Sequence, residues 1–275
     1  MRLDRRVGCV IAAAIALSST LLAADPPAPV PTAESVPVAA ADPTTVRLFL
    51  GFEEEPALAR RQWWEGYLDW QEGDAYDAAL VGGVVAVQTI PRLEIGGRLG
   101  FGRGEPHDLE AGRGATDLDV WGKYHLRAIG ENGEITAGGL LTVPTGDDTA
   151  GLGFDAFALG GFVSLRQRLN RVAFTAYLGL RLQEDGRFAG TDLSGETSVF
   201  GGAGVVLPLN GEVALVFEAA GESERFDGTD SDVRGLAGVD WTVSSGGGRV
   251  RAAVSAGTSD FAPALRVLGG YAVQF

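Results

Sequence analysis

The sequence predicts an all-β fold: a closed transmembrane antiparallel β-barrel of about twelve strands, with long external loops and short periplasmic turns. Three observations support this fold class. Twelve segments of about 10 to 13 residues show apolar and polar residues in alternation. The connections between these segments are short and long by turns. The chain also ends on an aromatic residue, Phe275, within the last alternating segment.

The composition narrows the class of protein. Of 275 residues, 41 are glycine, and 36 acidic side chains outnumber 22 basic ones, which gives a formal net charge of −14. Many short apolar runs in a glycine-rich chain favour an all-β fold. The acidic excess leaves no basic stripe for a phosphate backbone, so nucleic acid is excluded as a partner.

Residues 1–24 have the features of a secretory signal peptide. A basic start, MRLDRR, precedes an apolar, alanine-rich stretch that ends in small residues, and cleavage is predicted near Ala24. The alternative is a transmembrane anchor, but the apolar core is short and a proline-rich segment follows it directly. Cys9 leaves with the peptide, so the mature chain has no disulfide framework.

Residues 25–61 form a second region, a Pro/Ala-rich periplasmic leader without apolar periodicity. Such a composition is typical of a flexible or polyproline-like segment. Within it, residues 44–52 are compatible with a short strand and residues 53–62 with a short helix. The barrel itself is predicted over residues 62–275.

The alternating segments have the length of membrane-spanning β-strands, which need about 9 to 11 residues. In TDLDVWGKYHLR, the odd-numbered positions from Asp117 to Arg127 carry five charged or ionisable groups, and the even-numbered positions carry none. Segment 77–88 is apolar on both faces, so its register is undetermined. The twelve segments are 62–71, 77–88, 91–102, 115–127, 133–143, 154–166, 171–183, 196–207, 212–222, 231–242, 248–257 and 263–275.

Alternation alone does not say which face of the sheet is enclosed. A soluble sandwich or lipocalin-like barrel buries its apolar face, whereas a membrane barrel presents that face to lipid. Loop length favours the membrane barrel, because short turns at one end and longer acidic loops at the other are typical of outer-membrane barrels. An even number of strands also places both termini in the periplasm.

The last segment gives a second reason to prefer the membrane barrel. Tyr271, Val273 and Phe275 share one face, and this pattern resembles the assembly signal of Gram-negative outer-membrane β-barrels. We expect the last strand to pair with the first, because lipid leaves no water to satisfy an open sheet edge. The expected location is the outer membrane, with lipid, lipopolysaccharide and the barrel assembly machinery as partners.

Four stretches of the barrel region carry a family resemblance. DLDVWGKYHL is similar to a strand of the form D-L-x-L-G-x-K-Y, and AGGLLTVPTGDDTAGLGFDAF to an apolar strand followed by a P-T-G-D loop. VALVFEAAGESERF and GTSDFAPALRVLGGYAVQF are similar to a late E-x-x-G-E-S strand and a last hairpin. Together they resemble the outer-membrane transporters described as "MetA-pathway of phenol degradation". The resemblance implies a channel or transporter, with hydrophobic or aromatic compounds among its solutes.

The polar faces of the segments define the residues expected to line the lumen. Charges of both signs there form either a salt-bridged, nearly closed interior or a narrow wet pore that orients solutes. Trp121, where the family usually has a smaller residue, and Tyr177 are candidate stacking surfaces for an aromatic solute. The full set is Arg92, Glu94, Arg98, Asp117, Asp119, Trp121, Lys123, His125, Arg127, Glu134, Tyr177, Arg181, Glu218, Glu222, Arg234, Asp240, Arg249, Arg251 and Arg266.

The sequence offers no catalytic or metal-binding constellation. The two histidines, His107 and His125, have no accompanying G-x-S-x-G motif, so an enzyme is not expected. Two isolated histidines without a mature cysteine cannot form a zinc shell. The acidic loops near Asp147 and Asp230 have suitable ligands for weak Ca²⁺ binding, but a solvated turn is the simpler interpretation. No cofactor is predicted.

Two functions from different classes are compatible with these observations. The first is a porin-like channel or transporter that passes small solutes through a charge-lined lumen. The second is a non-conducting barrel that serves as a surface anchor, adhesin or structural element. Whether residues 44–61 plug the lumen is a question that the sequence leaves open.

Overall fold

The structure is a computed structural model that describes residues 46–59, 61–130, 132–243, 247–258 and 263–275. The predicted signal peptide and the leader as far as residue 45 lie outside the described residues. The strands are β1 Gln62–Glu72, β2 Tyr76–Ile90, β3 Leu93–Pro106, β4 Gly112–Ala115, β5 Leu118–Ile129, β6 Gly133–Val143, β7 Ala158–Leu169, β8 Val172–Gln183, β9 Gly186–Phe188, β10 Thr191–Leu193, β11 Thr197–Pro208, β12 Val213–Glu222, β13 Asp232–Thr242, β14 Gly248–Gly257 and β15 Leu265–Gln274.

Twelve long strands close into one antiparallel barrel, as the sequence predicts. Strand β1 pairs with β2 on one side and with β15 on the other, from Trp63 opposite Gln274 to Glu72 opposite Leu265. Strand β3 pairs with β5 and, further along, with the short β4, which continues the β5 position after a break. Strands β9 and β10 form a separate hairpin between β8 and β11. The long strands are therefore each paired on both sides along the part of the barrel that the structure describes.

The orientation of the two faces is also as predicted. Leu178 on β8, Phe217 on β12 and Val254 on β14 point outwards and are 64%, 44% and 49% exposed. On the same strands, Glu218 and Arg251 point inwards and are buried. An apolar outer face around an enclosed charged interior is the arrangement of a membrane barrel and the inverse of a soluble one.

The two ends of the barrel differ in their connections. At the end that holds both barrel termini, which we call the turn end, the connections are 91–92, 130–132, 170–171, 209–212 and 243–247. Arg92 and Asn170 adopt positive φ angles of 75° and 58° in the two tightest of these turns. The opposite end, which we call the loop end, carries connections 73–75, 107–117, 144–157, 184–196, 223–231 and 258–264. Only 73–75 departs from the predicted alternation of short and long.

Inward-facing aromatic side chains lie over glycines of neighbouring strands. A Cβ atom at Gly96 of β3 would overlap the indole of Trp121 on β5, and one at Gly202 of β11 would overlap the phenol of Tyr177 on β8. A glycine in a strand interior often marks such a close approach. These contacts fix both aromatic rings inside the lumen.

Two details of the sequence interpretation are settled or corrected by the structure. Strand β2 pairs Val81 with Leu68 and Val84 with Glu65, so Val81 faces outwards and the buried Val84 faces inwards. On β5, the register shifts between His125 and Arg127. Arg127 pairs with Ile135 instead of a lumen residue and is exposed, so its predicted lumen position is wrong.

The strand expected over 44–52 and the helix expected over 53–62 are also wrong for the described residues. Residues 49–56 form turns and bends, and the backbone N–H of Glu55 donates to the carbonyl of Gly51 at 2.9 Å. Contacts with the barrel wall, described below, override the local preference of this segment. Among the described residues, no helix is long and apolar enough to cross a membrane.

Candidate functional site: a lumen closed by the N-terminal segment

Residues 46–59, which we call the plug, lie inside the barrel lumen. Val46, Leu48 and Ala59 are fully buried, and Phe52 is packed among the inward-facing rings of Trp63 and Trp121. This part of the predicted leader therefore packs inside the lumen and is not a free periplasmic segment. The question that the sequence left open is answered for the described residues: they occupy the lumen near the turn end.

The centre of the plug is a buried cluster around Arg47. Its guanidinium donates to Glu55 Oε1 at 2.8 Å within the plug and to both carboxylate oxygens of Glu94 on β3, at 3.1 and 3.2 Å. The same guanidinium lies 3.8 Å from the centre of the Phe52 ring. Glu94 also accepts from the indole N–H of Trp121 at 3.1 Å. All of these charged groups are at most 2% exposed, so water does not screen them.

Three wall cations donate hydrogen bonds to backbone carbonyls of the plug. Lys123 on β5 donates to the carbonyls of Phe52 and Glu55 at 3.2 and 2.9 Å. Arg166 on β7 donates to the carbonyl of Val46 at 3.2 Å, and Arg251 on β14 to that of Leu48 at 2.9 Å. The plug has no regular secondary structure, so these bonds satisfy carbonyls that would otherwise be buried without a partner.

A wall carboxylate binds backbone N–H groups of the plug. Glu218 on β12 accepts from the N–H of Phe49 at 2.5 Å, of Leu50 at 2.9 Å and of Gly51 at 3.0 Å. Three consecutive N–H groups converging on one carboxylate form a local anion site made by the plug backbone. The plug is thus held from five strands by Glu94, Lys123, Arg166, Glu218 and Arg251.

A second layer of ion pairs positions Arg251. Its guanidinium lies 2.7 Å from Glu65 on β1 and 3.4 Å from Asp240 on β13. Asp240 in turn pairs with Arg249 at 2.6 Å. Charged groups on β1, β13 and β14 therefore form one network that ends on the plug backbone. Removing one member would leave a buried charge with fewer partners, and breaking a buried ion pair costs about 3 to 5 kcal/mol.

The space between the plug and the loops is a cavity of about 350 Å³, which we call the vestibule. The plug side is lined by Phe49, Leu50, Glu53 and Glu54, and the loop side by residues of connections 144–157 and 223–231. This volume lies within the range of small-molecule sites. Four ion pairs lie between residues of its wall, and these pairs are Arg98–Asp119 (2.9 Å), Arg181–Glu222 (2.7 Å), Arg234–Asp232 (2.7 Å) and Arg266–Asp69 (2.6 Å).

Two plug carboxylates form the floor of the vestibule. Glu53 pairs with Arg98 at 2.8 Å. Glu54 is 7% exposed and lines the cavity, and among the described residues its carboxylate makes no ion pair and accepts a hydrogen bond only from its own backbone N–H. Burial, and next the neighbouring Glu53, raise the pKa of Glu54 to about 8, with Arg181 opposing the rise.

Aromatic side chains join three loops over the loop end. The Phe188 ring on β9 stacks on Phe154 with 5.1 Å between centroids, and Phe154 stacks on Phe226 at 5.2 Å. Tyr76 of β2 meets Phe188 edge-on at 5.3 Å. Asp117 accepts from the backbone N–H of Phe154 at 3.0 Å, so its carboxylate anchors loop 144–157. These contacts define the mouth of the vestibule.

The sequence-predicted lumen residues fall into separate groups in the structure. Trp121, Lys123, Glu218, Asp240, Arg249 and Arg251 belong to the plug contacts and their supports, and Asp119, Tyr177, Arg181, Glu222, Arg234 and Arg266 line the vestibule. Trp121 is 1% exposed beneath the plug, so of the two candidate stacking residues Tyr177 is the one that lines the vestibule. His125 lies 3.6 Å from Glu134 near the turn end. Tyr271 and Phe275 point outwards, 50% and 63% exposed.

Several residues of the site were not predicted from the sequence. Arg47, Glu53, Glu54 and Glu55 lie in the predicted leader, and Arg166 closes a segment whose polar face was not assigned. One signal was available: RLFLGFEEE, residues 47–55, combines an apolar run with four charged residues, unlike the Pro/Ala-rich stretch before it. For the described part of the chain, no group of three or more His, Cys, Asp or Glu side chains is placed to hold a metal.

Comparison with known proteins supports the fold. No protein-family model and no curated protein matches the chain. Among solved structures, an outer membrane channel from Pseudomonas putida F1 superimposes with a TM-score of 0.64 at 16% identity, covering 83% of this chain and 100% of that chain. The resemblance to the phenol-degradation transporters stays a prediction at the level of the family.

Two porins have the same general fold. KdgM porin gives a TM-score of 0.51 at 10% identity, covering 78% of this chain and 99% of that chain. NanC porin gives 0.51 at 8% identity, covering 77% of this chain and 98% of that chain. At these identities the likeness concerns the closed antiparallel barrel alone.

Proposed function

We propose that this protein is an outer-membrane channel for small solutes whose resting state is closed by the plug. The observation that carries the proposal is the way the plug is bound: wall charges contact its backbone inside a lumen that also contains a vestibule. A lumen wide enough for a chain segment is wider than one that its own side chains fill. Without the plug, the same charges would line a wet passage.

The chemistry of the contacts supports a removable plug. The plug is held by polar bonds, which water can replace when the plug moves away. The wall side chains that form these bonds are Glu94, Lys123, Arg166, Glu218 and Arg251. A plug fixed by apolar packing alone would expose apolar surface on leaving. The exposed apolar belt and the closed sheet support a location in the outer membrane, with the turn end in the periplasm and the vestibule outside. Passage would then be passive, set by lumen width and charge.

One observation favours the second candidate, a non-conducting barrel. The Arg47–Glu55–Glu94 cluster is fully enclosed, and such a network is costly to break. A plug that never leaves would make the protein a closed structural barrel or a surface anchor. The two candidates therefore differ in whether the lumen conducts once the plug is gone.

Conductance in planar lipid bilayers separates them. The test compares the mature chain, a variant that lacks residues 46–59, and a control that lacks residues 26–39, a stretch of equal length before the plug. The channel proposal expects stable current only from the variant without the plug, and rare openings from the other two. Heat-modifiable mobility on gels verifies that each barrel is folded. A folded, plug-free barrel that carries no current would establish the non-conducting alternative.

A further inference from the structure

The arginine side chains of the vestibule already have polar partners in the protein. Arg98, Arg181, Arg234 and Arg266 each lie within 2.9 Å of a carboxylate of the barrel wall. Arg225, at the loop end, donates to the Gln183 side chain at 2.8 Å and lies 3.8 Å from Glu222. An anionic solute would therefore have to displace an existing carboxylate before it gained a partner.

The carboxylates of the vestibule are in excess. Its lining contains five arginines, which are named above, and eight acidic residues, which are Glu53, Glu54, Asp69, Asp117, Asp119, Glu222, Asp230 and Asp232. Most of the acidic residues have a guanidinium or the backbone N–H of another residue as partner. Glu54 is the buried exception among the described residues: it is more than nine-tenths buried, lines the cavity, makes no ion pair and has only its own backbone N–H as a hydrogen-bond partner.

A buried carboxylate without a cationic partner is costly, and a cation that reaches it reduces that cost. We propose that the vestibule binds small organic cations, with the Glu54 carboxylate as their counter-ion. This proposal names the class of solute for the proposed channel. It rests on the proposed function only for the passage of the solute through the lumen beyond the vestibule. The Tyr177 side chain lines the same cavity, and an aromatic ring is a favourable neighbour for a cationic group.

Two other ligand classes fit the geometry less well. A divalent metal ion needs several oxygen ligands, and no such group of carboxylates is assembled in the described part of the chain. Glu53, the nearest candidate for a second ligand, is engaged with Arg98. An organic cation needs one unpaired carboxylate and an aromatic wall, and the vestibule provides both.

Isothermal titration calorimetry on the detergent-solubilised mature chain tests the site with permanent charges. Benzyltrimethylammonium is the cationic probe and benzenesulfonate the anionic one, at pH 9, where Glu54 is largely ionised. The matched variants are Glu54→Gln, which keeps the shape and removes the charge, and Glu212→Gln, which changes an exposed glutamate at the turn end. We expect the cation alone to bind the wild type, and Glu54→Gln to weaken it roughly tenfold to a hundredfold.

Each outcome decides the question. Binding of benzyltrimethylammonium that Glu54→Gln leaves unchanged, or equal binding of benzenesulfonate, would overturn the proposal. So would the absence of any binding to the wild type, a comparison that does not depend on a variant folding. Calorimetry requires no current through the barrel, so a lumen that never conducts would refute the channel and leave the cation site standing.

Discussion

The Glu218 carboxylate accepts a hydrogen bond from the backbone N–H of Phe49 at 2.5 Å, which joins the middle of strand β12 to the turn of the plug. The same carboxylate also accepts from the N–H groups of Leu50 and Gly51. One wall residue thus holds three consecutive peptide units that lie on the boundary between plug and vestibule. Loss of this one side chain should loosen the plug without changing the barrel.

Amide hydrogen exchange tests this role of Glu218. Glu218→Ala leaves three plug N–H groups without their acceptor, at a cost of about 1 to 3 kcal/mol for a buried unsatisfied group. We expect exchange at Phe49, Leu50 and Gly51 to accelerate roughly tenfold to a hundredfold, while amides of the barrel strands keep their protection. Glu212→Ala is the control. Unchanged protection at these three amides would show that the plug does not depend on Glu218.

A double-mutant cycle tests the buried Arg47–Glu94 contact. Either Arg47→Ala or Glu94→Ala should lower the free energy of unfolding by about 3 to 5 kcal/mol, because each removes one ion-pair partner from a buried charge. The double variant should lose clearly less than the sum of the two. Denaturant unfolding of the detergent-solubilised barrel gives the four values. Additive losses would mean that the two side chains do not interact in solution.

The pH dependence of cation binding follows from the position of Glu54. Its pKa is raised to about 8, chiefly by burial, with Glu53 adding to the rise and Arg181 and Arg98 opposing it. Tyr177 is a further ionisable neighbour that interacts electrostatically with the Glu54 carboxylate. Because the protonated form must lose its proton before it pairs with a cation, the affinity should increase with pH and level off above 8. Below pH 8 it should fall by about tenfold per unit.

Titration of the wild type with benzyltrimethylammonium from pH 6 to pH 10 measures this profile, because the charge of the probe does not change. The Glu54→Gln variant should show weak binding that does not respond to pH in the same window. An affinity that is flat across the range, or that decreases as the pH rises, would be inconsistent with Glu54 as the counter-ion.

The aromatic contacts at the loop end predict how loop 184–196 responds to a mutation. Phe188→Ala removes the ring that lies between Tyr76 and Phe154, and truncation of a packed phenylalanine costs about 3 to 5 kcal/mol. The hairpin of β9 and β10 should then open more often, and trypsin should cleave faster after the half-exposed Arg187. Leu209→Ala, at the turn end, is the comparison. Equal cleavage rates would show that this ring does not hold the loop.

Much of the barrel could be predicted from the sequence because the pattern that determines each strand lies within a few consecutive residues. A period of two over ten or more residues determines both the strand and its faces, as the segment from Val172 to Gln183 illustrates. The register shift at His125 could not be predicted, since an extra residue in one strand leaves the alternation before and after it intact. The short hairpin β9–β10 has too few residues to show a period.

The plug could not be predicted for a different reason. Arg47 contacts a residue 47 positions away, and its backbone carbonyl contacts another 204 positions away, so nothing near it in the sequence reports its partners. The alternation in Val46, Leu48 and Leu50 suggests a strand, but no neighbouring strand is free to pair with it, because β1 is already flanked by β2 and β15. Wall charges take the place of a sheet partner.

Single-channel recording shows whether the plug closes the lumen. Wild type, Glu218→Ala and the variant without residues 46–59 are recorded in the same bilayers. We expect rare openings for the wild type, frequent transitions for Glu218→Ala and steady current without the plug. A wild-type barrel that conducts as steadily as the variant without residues 46–59 would show that the plug does not close the lumen.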